Sequence, residues 1–141
     1  MRDVEQSAAL VSDPRLPVVS FTGSETVGYR IQSEQPSKHV VLELGGNAAA
    51  VVLADWSSPE DLEWAATRIA TFGNYQAGQS CVSVQRVLVD RPIYEDVVAR
   101  VVSEVDKLVT GDSTDPGTEV GPLVDENAAA PGANGLLAGA T

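Results

Sequence analysis

The chain has 141 residues, the length of one ordinary domain, and 43% of them are hydrophobic. This apolar content supports a packed core and argues against intrinsic disorder. Twenty acidic residues against nine basic ones give a net charge of −11, which repels the phosphate backbone of nucleic acids and anionic lipids. We therefore expect neither nucleic acid nor a membrane surface as a partner.

The sequence contains one cysteine, Cys81, and one histidine, His39. One cysteine cannot form an intrachain disulfide. One cysteine and one histidine are also too few ligands for a structural zinc site, so we expect no metal. No apolar run approaches the roughly 20 residues that span a bilayer, and the N-terminus does not resemble a secretion signal. These features predict a protein of the reducing cytoplasm.

The N-terminal part of the sequence predicts a helix end, a strand and a second helix, in that order. Small and aliphatic residues at 8–11 precede the pair Asp13-Pro14, and the apolar run at 18–21 is followed by Gly23 and Ser24. Serine is a favoured helix N-cap, so we expect a helix to begin directly after Ser24.

A second strand is predicted at residues 38–44. Its alternation places Val40, Leu42 and Leu44 on one face, and the pair Gly45-Gly46 ends it.

The following residues predict two more pairs of strand and helix. A short buried strand at 49–53 precedes a helix from Pro59 to Tyr75 whose apolar face includes Ile69 and Phe72. Residues 85–89 form the next strand, and Pro92 opens another amphipathic helix. The charged positions of that helix are expected to face water: Glu95, Asp96, Arg100, Glu104 and Lys107. Strands that alternate with helices indicate an α/β fold with parallel pairing.

Three local features could support chemistry, and each has a purely structural alternative. The glycine-bounded turn at 23–28 could offer backbone N–H groups to an anion, or its glycines could serve turn geometry alone. Glu43 ends an apolar strand, where it is either a candidate base or a charge that faces solvent. Cys81 follows a loop containing Gly78, and a free cysteine is either a nucleophile or an inert buried residue.

Taken together, these motifs resemble the aldehyde dehydrogenase superfamily over roughly residues 8–130. The similar segments are Phe21-Thr22-Gly23-Ser24 through Gly28, Leu42-Glu43-Leu44-Gly45-Gly46-Asn47, Gly78-Gln79-Ser80-Cys81 with 84–89, Gly111-Asp112, and Gly121-Pro122-Leu123. The resemblance implies a partial aldehyde-dehydrogenase-like fold, incomplete as a domain. Residues 1–44 would end a Rossmann-like dinucleotide-binding domain, residues 45–130 would begin the catalytic domain, and residues 131–141 would be a poorly ordered tail.

The resemblance also implies an activity, the oxidation of a small-molecule aldehyde to a carboxylic acid with NAD or NADP. Cys81 would attack the carbonyl carbon and pass through a thiohemiacetal and a thioester, and Glu43 would activate the hydrolytic water. The residues implied to seat the cofactor are Thr22, Gly23, Ser24 and Gly28, with Leu44 near the nicotinamide. Most relatives have threonine where this chain has Glu25, which places a carboxylate in the cofactor turn.

Two alternatives to this activity stay open from the sequence. One is a relative that transfers the acyl group to a thiol rather than to water. The other is a catalytically dead remnant that acts as an acidic interaction module. Because relatives are several times longer, the resemblance implies a truncated or frame-shifted gene or a deliberately shortened chain. We expect the isolated chain to be inactive and to self-associate, and the family resemblance makes a homo-oligomer the expected parent state.

Overall fold

A computed structural model describes residues 4–124 together with 126 and 128. The helices are α1 (Val4–Ser12), α2 (Glu25–Glu34), α3 (Pro59–Asn74) and α4 (Tyr94–Asp106). The strands are β1 (Val18–Thr22), β2 (His39–Glu43), β3 (Ala48–Val52) and β4 (Val84–Val89). A short 3₁₀ segment occupies Arg91–Ile93, and a turn with left-handed backbone at Gln76 and Ala77 occupies Tyr75–Gly78. The α/β class is confirmed, and the tail predicted at 131–141 lies outside the described residues.

The chain divides between Gly45 and Gly46 into two compact units, called here the first and the second unit. No helix within the described residues is long and apolar enough to cross a bilayer. The assignment of residues 1–44 and 45–130 to two different enzyme domains stays a prediction.

In the first unit, β1 and β2 pair in parallel, from Val18 opposite His39 to Thr22 opposite Glu43. The predicted alternation is present, because Val40 and Leu42 are half-buried while Val41 is exposed. The predicted cap is present too: the Ser24 hydroxyl accepts the N–H of Val27 at 3.4 Å. The parallel pairing and the helix start are thus confirmed.

Lys38 ties the end of α1 to the start of β2. Its ammonium donates to the carbonyl oxygens of Val11 and Asp13, both at 2.6 Å. The last carbonyls of a helix have no intrahelical partner and concentrate negative partial charge, so a lysine there is favourable. The Lys38 side chain thus caps α1 from a strand that is remote in sequence. It fixes the turn in which the Asp13 carboxylate also accepts the N–H of Arg15 at 2.9 Å.

In the second unit, β3 and β4 also pair in parallel, with a register shift between Ala48 and Ala49. Helix α3 begins as its sequence predicts: Pro59 occupies the first turn, and the Ser58 hydroxyl accepts the N–H of Asp61 at 3.1 Å. The buried apolar core joins β3, α3, the Arg91–Ile93 segment and α4. Its members are Val52, Leu62, Ile69, Ile93 and Val97.

Two burial predictions for the second unit are wrong. Only Val52 of β3 is buried, and Val51 is 61% exposed, so this is not a buried strand within the described chain. Phe72 is 39% exposed instead of lying on the buried face of α3. A two-stranded sheet and two helices have too little surface to enclose both sides of β3, so only the side that meets the core is covered.

The predicted solvent face of α4 is partly wrong as well. Arg100 donates to Glu63 at 3.2 Å, and Glu104 accepts the hydroxyl of Thr67 at 3.2 Å, so both side chains join α4 to α3. Lys107 also donates to Glu104, and this hydrogen bond holds the pKa of the Glu104 carboxyl below its usual range. Glu95, Asp96 and Lys107 are exposed as predicted.

Replacing Lys38 by methionine should lower the free energy of unfolding by about 1.5 kcal/mol, because two hydrogen bonds from a charged donor are lost at a helix C-terminus. Urea denaturation followed by circular dichroism measures the change. The matched control is Arg30→Met, since the ion pair of the Arg30 side chain with Glu34 is long, at 4.0 Å, and lies on the surface. Equal losses in the two variants would contradict the role given to Lys38.

Candidate functional site

The first unit brings most of the predicted cofactor residues to the carboxyl ends of its two strands. Thr22 ends β1 directly opposite Glu43, which ends β2. The N–H of Gly23 donates to the carbonyl oxygen of Glu43 at 3.1 Å, which fixes the turn between β1 and α2. Ser24 then caps α2. Thr22, Gly23, Ser24 and Glu43 therefore lie at one edge of the sheet.

Gly28 and Leu44 are packed against each other in the first unit. Gly28 is buried in α2, and a Cβ added there would lie 2.6 Å from Cδ2 of Leu44. The absence of a side chain at Gly28 is what lets Leu44 lie on the helix. Gly28 therefore serves the packing of Leu44 against α2.

The N-terminus of α2 has donors suited to an anion such as a pyrophosphate. The first N–H groups of a helix have no intrahelical partner, and the Ser24 hydroxyl satisfies only that of Val27. Glu25 adds a carboxylate to the same turn, but its side chain is exposed and so remains hydrated. The backbone of the turn thus fits a dinucleotide phosphate, while the charge of Glu25 weakens the attraction.

Glu43 is exposed within the described chain. Of the two alternatives for this residue, the charge that faces solvent describes its side chain within the described residues. The structure therefore fixes the backbone of Glu43 through β2 and Gly23 and leaves its side chain accessible.

Cys81 lies in the second unit and is free and exposed. It belongs to the short turn that follows α3, in which the N–H of Ser83 donates to the carbonyl oxygen of Ser80 at 3.0 Å. Of the two interpretations of this thiol, the inert buried cysteine does not apply to the described chain. Because the sulfur is accessible, a carbonyl compound in solution can reach it.

The chain reaches Cys81 through a left-handed turn. Gln76 and Ala77 have φ/ψ of 51/42° and 56/35°, and Gly78 follows with φ 75°. Left-handed conformations cost non-glycine residues free energy, and such residues cluster at functional sites. The sequence predicts only a loop containing Gly78 before Cys81, so the left-handed turn is a finding of the structure.

Gly46 and Ser83 flank the cysteine, and neither was predicted as a site residue. A Cβ added to Gly46 would lie 2.6 Å from the carbonyl oxygen of Cys81, so only glycine allows this contact. Ser83 is 1% exposed, and its hydroxyl has no hydrogen-bond partner within the described residues. The pair Gly45-Gly46 was the only sequence signal for the close approach, and it indicated only the end of a strand.

An apolar groove of about 370 Å³ lies elsewhere in the second unit, between β3 and α3. The guanidinium of Arg68 stacks 4.7 Å from the ring centre of Phe72 and 5.7 Å from that of Trp64. Cys81 does not line this groove. Within the described residues, no three His, Cys, Asp or Glu side chains are close enough together to hold a metal ion.

Replacing Gly46 by alanine should displace the Cys81 loop and lower the free energy of unfolding by about 1–3 kcal/mol, because the new methyl group meets a backbone oxygen. The adjacent variant Gly45→Ala is the control: apart from Gly45 and its two chain neighbours, no heavy atom of the described residues lies within 4 Å of the added Cβ. Thermal denaturation and alkylation of the single thiol measure both variants. Identical behaviour of the two variants would contradict the close approach.

Replacing Ala77 by glycine should raise the free energy of unfolding by about 1 kcal/mol, because glycine adopts the left-handed region without steric cost. The control is Ala99→Gly in the middle of α4, where the same change should lower stability by about 1 kcal/mol. Urea denaturation of both variants checks the opposite signs. A loss of stability in both would show that Ala77 is not left-handed.

Comparison with known proteins shows which family the chain belongs to. The family model of the aldehyde dehydrogenase family matches residues 2–133. A vanillin dehydrogenase of Corynebacterium glutamicum is 40% identical over 114 residues, which cover 78% of this chain and 23% of the relative. Among solved structures, an NAD-dependent benzaldehyde dehydrogenase from Corynebacterium glutamicum superposes with a TM-score of 0.82 at 33% identity, covering 96% of this chain and 29% of the other. An indole-3-acetaldehyde dehydrogenase complexed with NAD⁺ gives a TM-score of 0.85 at 29% identity, covering 94% and 27%. The chain therefore belongs to the aldehyde dehydrogenase family, and it spans about a quarter of the length of these relatives.

Proposed function

We propose that this chain is the part of an NAD(P)-dependent aldehyde dehydrogenase that supplies the catalytic thiol, Cys81, and the general base, Glu43. The observation that supports this most is the exposure of Cys81 on a turn whose backbone packs against Gly46. The family match includes both Cys81 and Glu43, since it runs over residues 2–133. The substrate class is a small-molecule aldehyde, and the product is a carboxylic acid.

The first step is the attack of Cys81 on the aldehyde. The thiolate forms a sulfur–carbon bond while the carbonyl π electrons move to oxygen, which gives a thiohemiacetal anion. The backbone N–H of Cys81 is a candidate donor to that oxygen, and such donors lower the barrier by stabilising charge that develops in the transition state. The left-handed turn at Gln76–Gly78 and the contact with Gly46 fix the backbone from which this N–H projects.

The cofactor, NAD or NADP, would supply the two-electron oxidant that converts the thiohemiacetal to a thioester. The edge formed by Thr22, Gly23 and Ser24 would hold its phosphates, and Leu44, held against Gly28, would lie near the nicotinamide. Support for a nicotinamide cofactor comes from a structural neighbour that is complexed with NAD⁺.

The last step is hydrolysis, for which we propose Glu43 as the base. Its carboxylate would take a proton from water as the water oxygen attacks the thioester carbon, and the sulfur–carbon bond would then break to return the thiolate. An exposed carboxylate such as Glu43 is accessible to water.

The complete oxidation is proposed for a longer protein, since the aldehyde dehydrogenases that match this chain are about four times its length. We propose that the 141-residue chain alone does not oxidise aldehydes and that it self-associates through its exposed apolar residues. A cytoplasmic location and a homo-oligomeric parent protein belong to the same proposal.

The thiol chemistry can be tested on this chain without cofactor. An activated ester, p-nitrophenyl acetate, should transfer one acetyl group to Cys81 well below pH ~8.5, where an ordinary cysteine thiol is mostly protonated. Cys81→Ser should abolish the transfer, and Glu43→Gln should slow loss of the acetyl group by at least about 100-fold. Intact mass spectrometry follows both steps, and Glu34→Gln is a matched control that changes an exposed carboxylate at the end of α2.

If the rate of acetylation rises with pH only as an ordinary cysteine thiol ionises, Cys81 is not an activated nucleophile. That result would favour the inactive acidic interaction module. Equal deacetylation in Glu43→Gln and Glu34→Gln would exclude Glu43 as the base. Transfer of the acetyl group to an added thiol faster than to water would favour the acyl-transferring alternative.

A further inference from the structure

The left-handed turn that leads to Cys81 needs a partner to persist. Left-handed backbone costs about 1–2 kcal/mol for each residue that has a side chain, and both Gln76 and Ala77 adopt it. Conformations of this kind are retained only where surrounding groups fix them. The hydrogen bonds around the turn should therefore identify what holds it.

Gln79 supplies those hydrogen bonds. Its backbone N–H donates to the carbonyl oxygen of Gln76 at 3.1 Å, and its side-chain Nε2 donates to the same oxygen at 3.0 Å. Both donors close the turn across the two strained residues. The only acceptor involved is a backbone oxygen, so the bonds depend on the path of the chain and on no other side chain.

The second half of the Gln79 amide reaches a distant segment. Its Oε1 accepts the backbone N–H of Val124 at 3.2 Å, across 45 positions of sequence. The turn is thereby connected to the segment that follows Gly121-Pro122. One side chain thus bridges the approach to Cys81 and a backbone that is remote in sequence.

Only an amide of this length performs both tasks. A glutamine has two N–H donors and one carbonyl acceptor, whereas glutamate has only acceptors and leucine has neither. Gln79 is two residues before Cys81, so the geometry that it imposes is passed directly to the Ser80–Ser83 turn.

We infer that Gln79 is a positioning residue for Cys81, an inference that rests on the proposed role of Cys81 as the nucleophile. Gln79 acts through the backbone and forms no hydrogen bond to the sulfur. Its loss therefore alters where the thiol and the Cys81 N–H lie, and leaves the ionisation of the thiol unchanged.

Two reactions of the same thiol separate position from reactivity. Acetylation by p-nitrophenyl acetate passes through an oxyanion whose stabilisation depends on the orientation of the loop. Alkylation by iodoacetamide is a direct displacement that forms no oxyanion. Because Cys81 is the only cysteine of the chain, both rates report on this one site.

The experiment compares the unsubstituted chain with Gln79→Leu, Gln79→Glu and the surface control Gln32→Leu in α2. Gln79→Leu should slow acetylation about tenfold and change alkylation by less than about twofold, with the same pH midpoint. Gln79→Glu should fall between these values, because its carboxylate keeps the acceptor for Val124 and loses the donor to Gln76. Gln32→Leu should match the unsubstituted chain.

Hydrogen exchange at the Val124 amide checks the bridge independently of any chemistry at Cys81. Protection should disappear in Gln79→Leu and persist in Gln79→Glu. Unchanged protection in Gln79→Leu would overturn the bridge, and lost protection with unchanged acetylation would overturn the positioning role. Equal slowing of both reactions would also overturn it, since access to the thiol would then be the cause. Failure of the proposed function appears differently, as absence of acetylation in the unsubstituted chain while the Val124 amide is still protected.

Discussion

The second unit depends on a small apolar core in which α3 and α4 meet the β3–β4 pair. Val97 is 1% exposed and Leu62 is 3% exposed, and Val52 joins them from the sheet. This burial fixes the axis of α3 and therefore the point at which the chain leaves the helix toward Cys81. The hydrogen bonds of Arg100 with Glu63 and of Glu104 with Thr67 then hold the outer faces of the two helices in register.

In both units, a residue of the proposed site packs closely against a glycine. The Leu44 side chain packs against α2 at Gly28, and the Cys81 carbonyl oxygen packs against Gly46. In each case the residue of proposed function is held by a neighbour that has no side chain. Backbone packing next to a glycine therefore sets the positions of Leu44 and Cys81.

The second unit exposes large apolar side chains, although the chain has a net charge of −11. Val51, Leu53, Trp64 and Phe72 are all exposed around the groove between β3 and α3. The chain spans about a quarter of the length of its relatives, and these side chains are exposed within the part of it that the structure describes. The cation–π contacts of Arg68 cover part of it within this chain.

Local sequence alone predicts the order of helices and strands, their parallel pairing, the Ser24 cap and the family, because these follow from local periodicity, capping chemistry and short motifs. Three further features required the tertiary structure. The roles of Arg100 and Glu104 depend on which helix lies opposite, and the exposure of Val51 depends on which face of the sheet is covered. The hydrogen bond that Oε1 of Gln79 accepts from the N–H of Val124 joins residues 45 positions apart, a relation that no local pattern encodes.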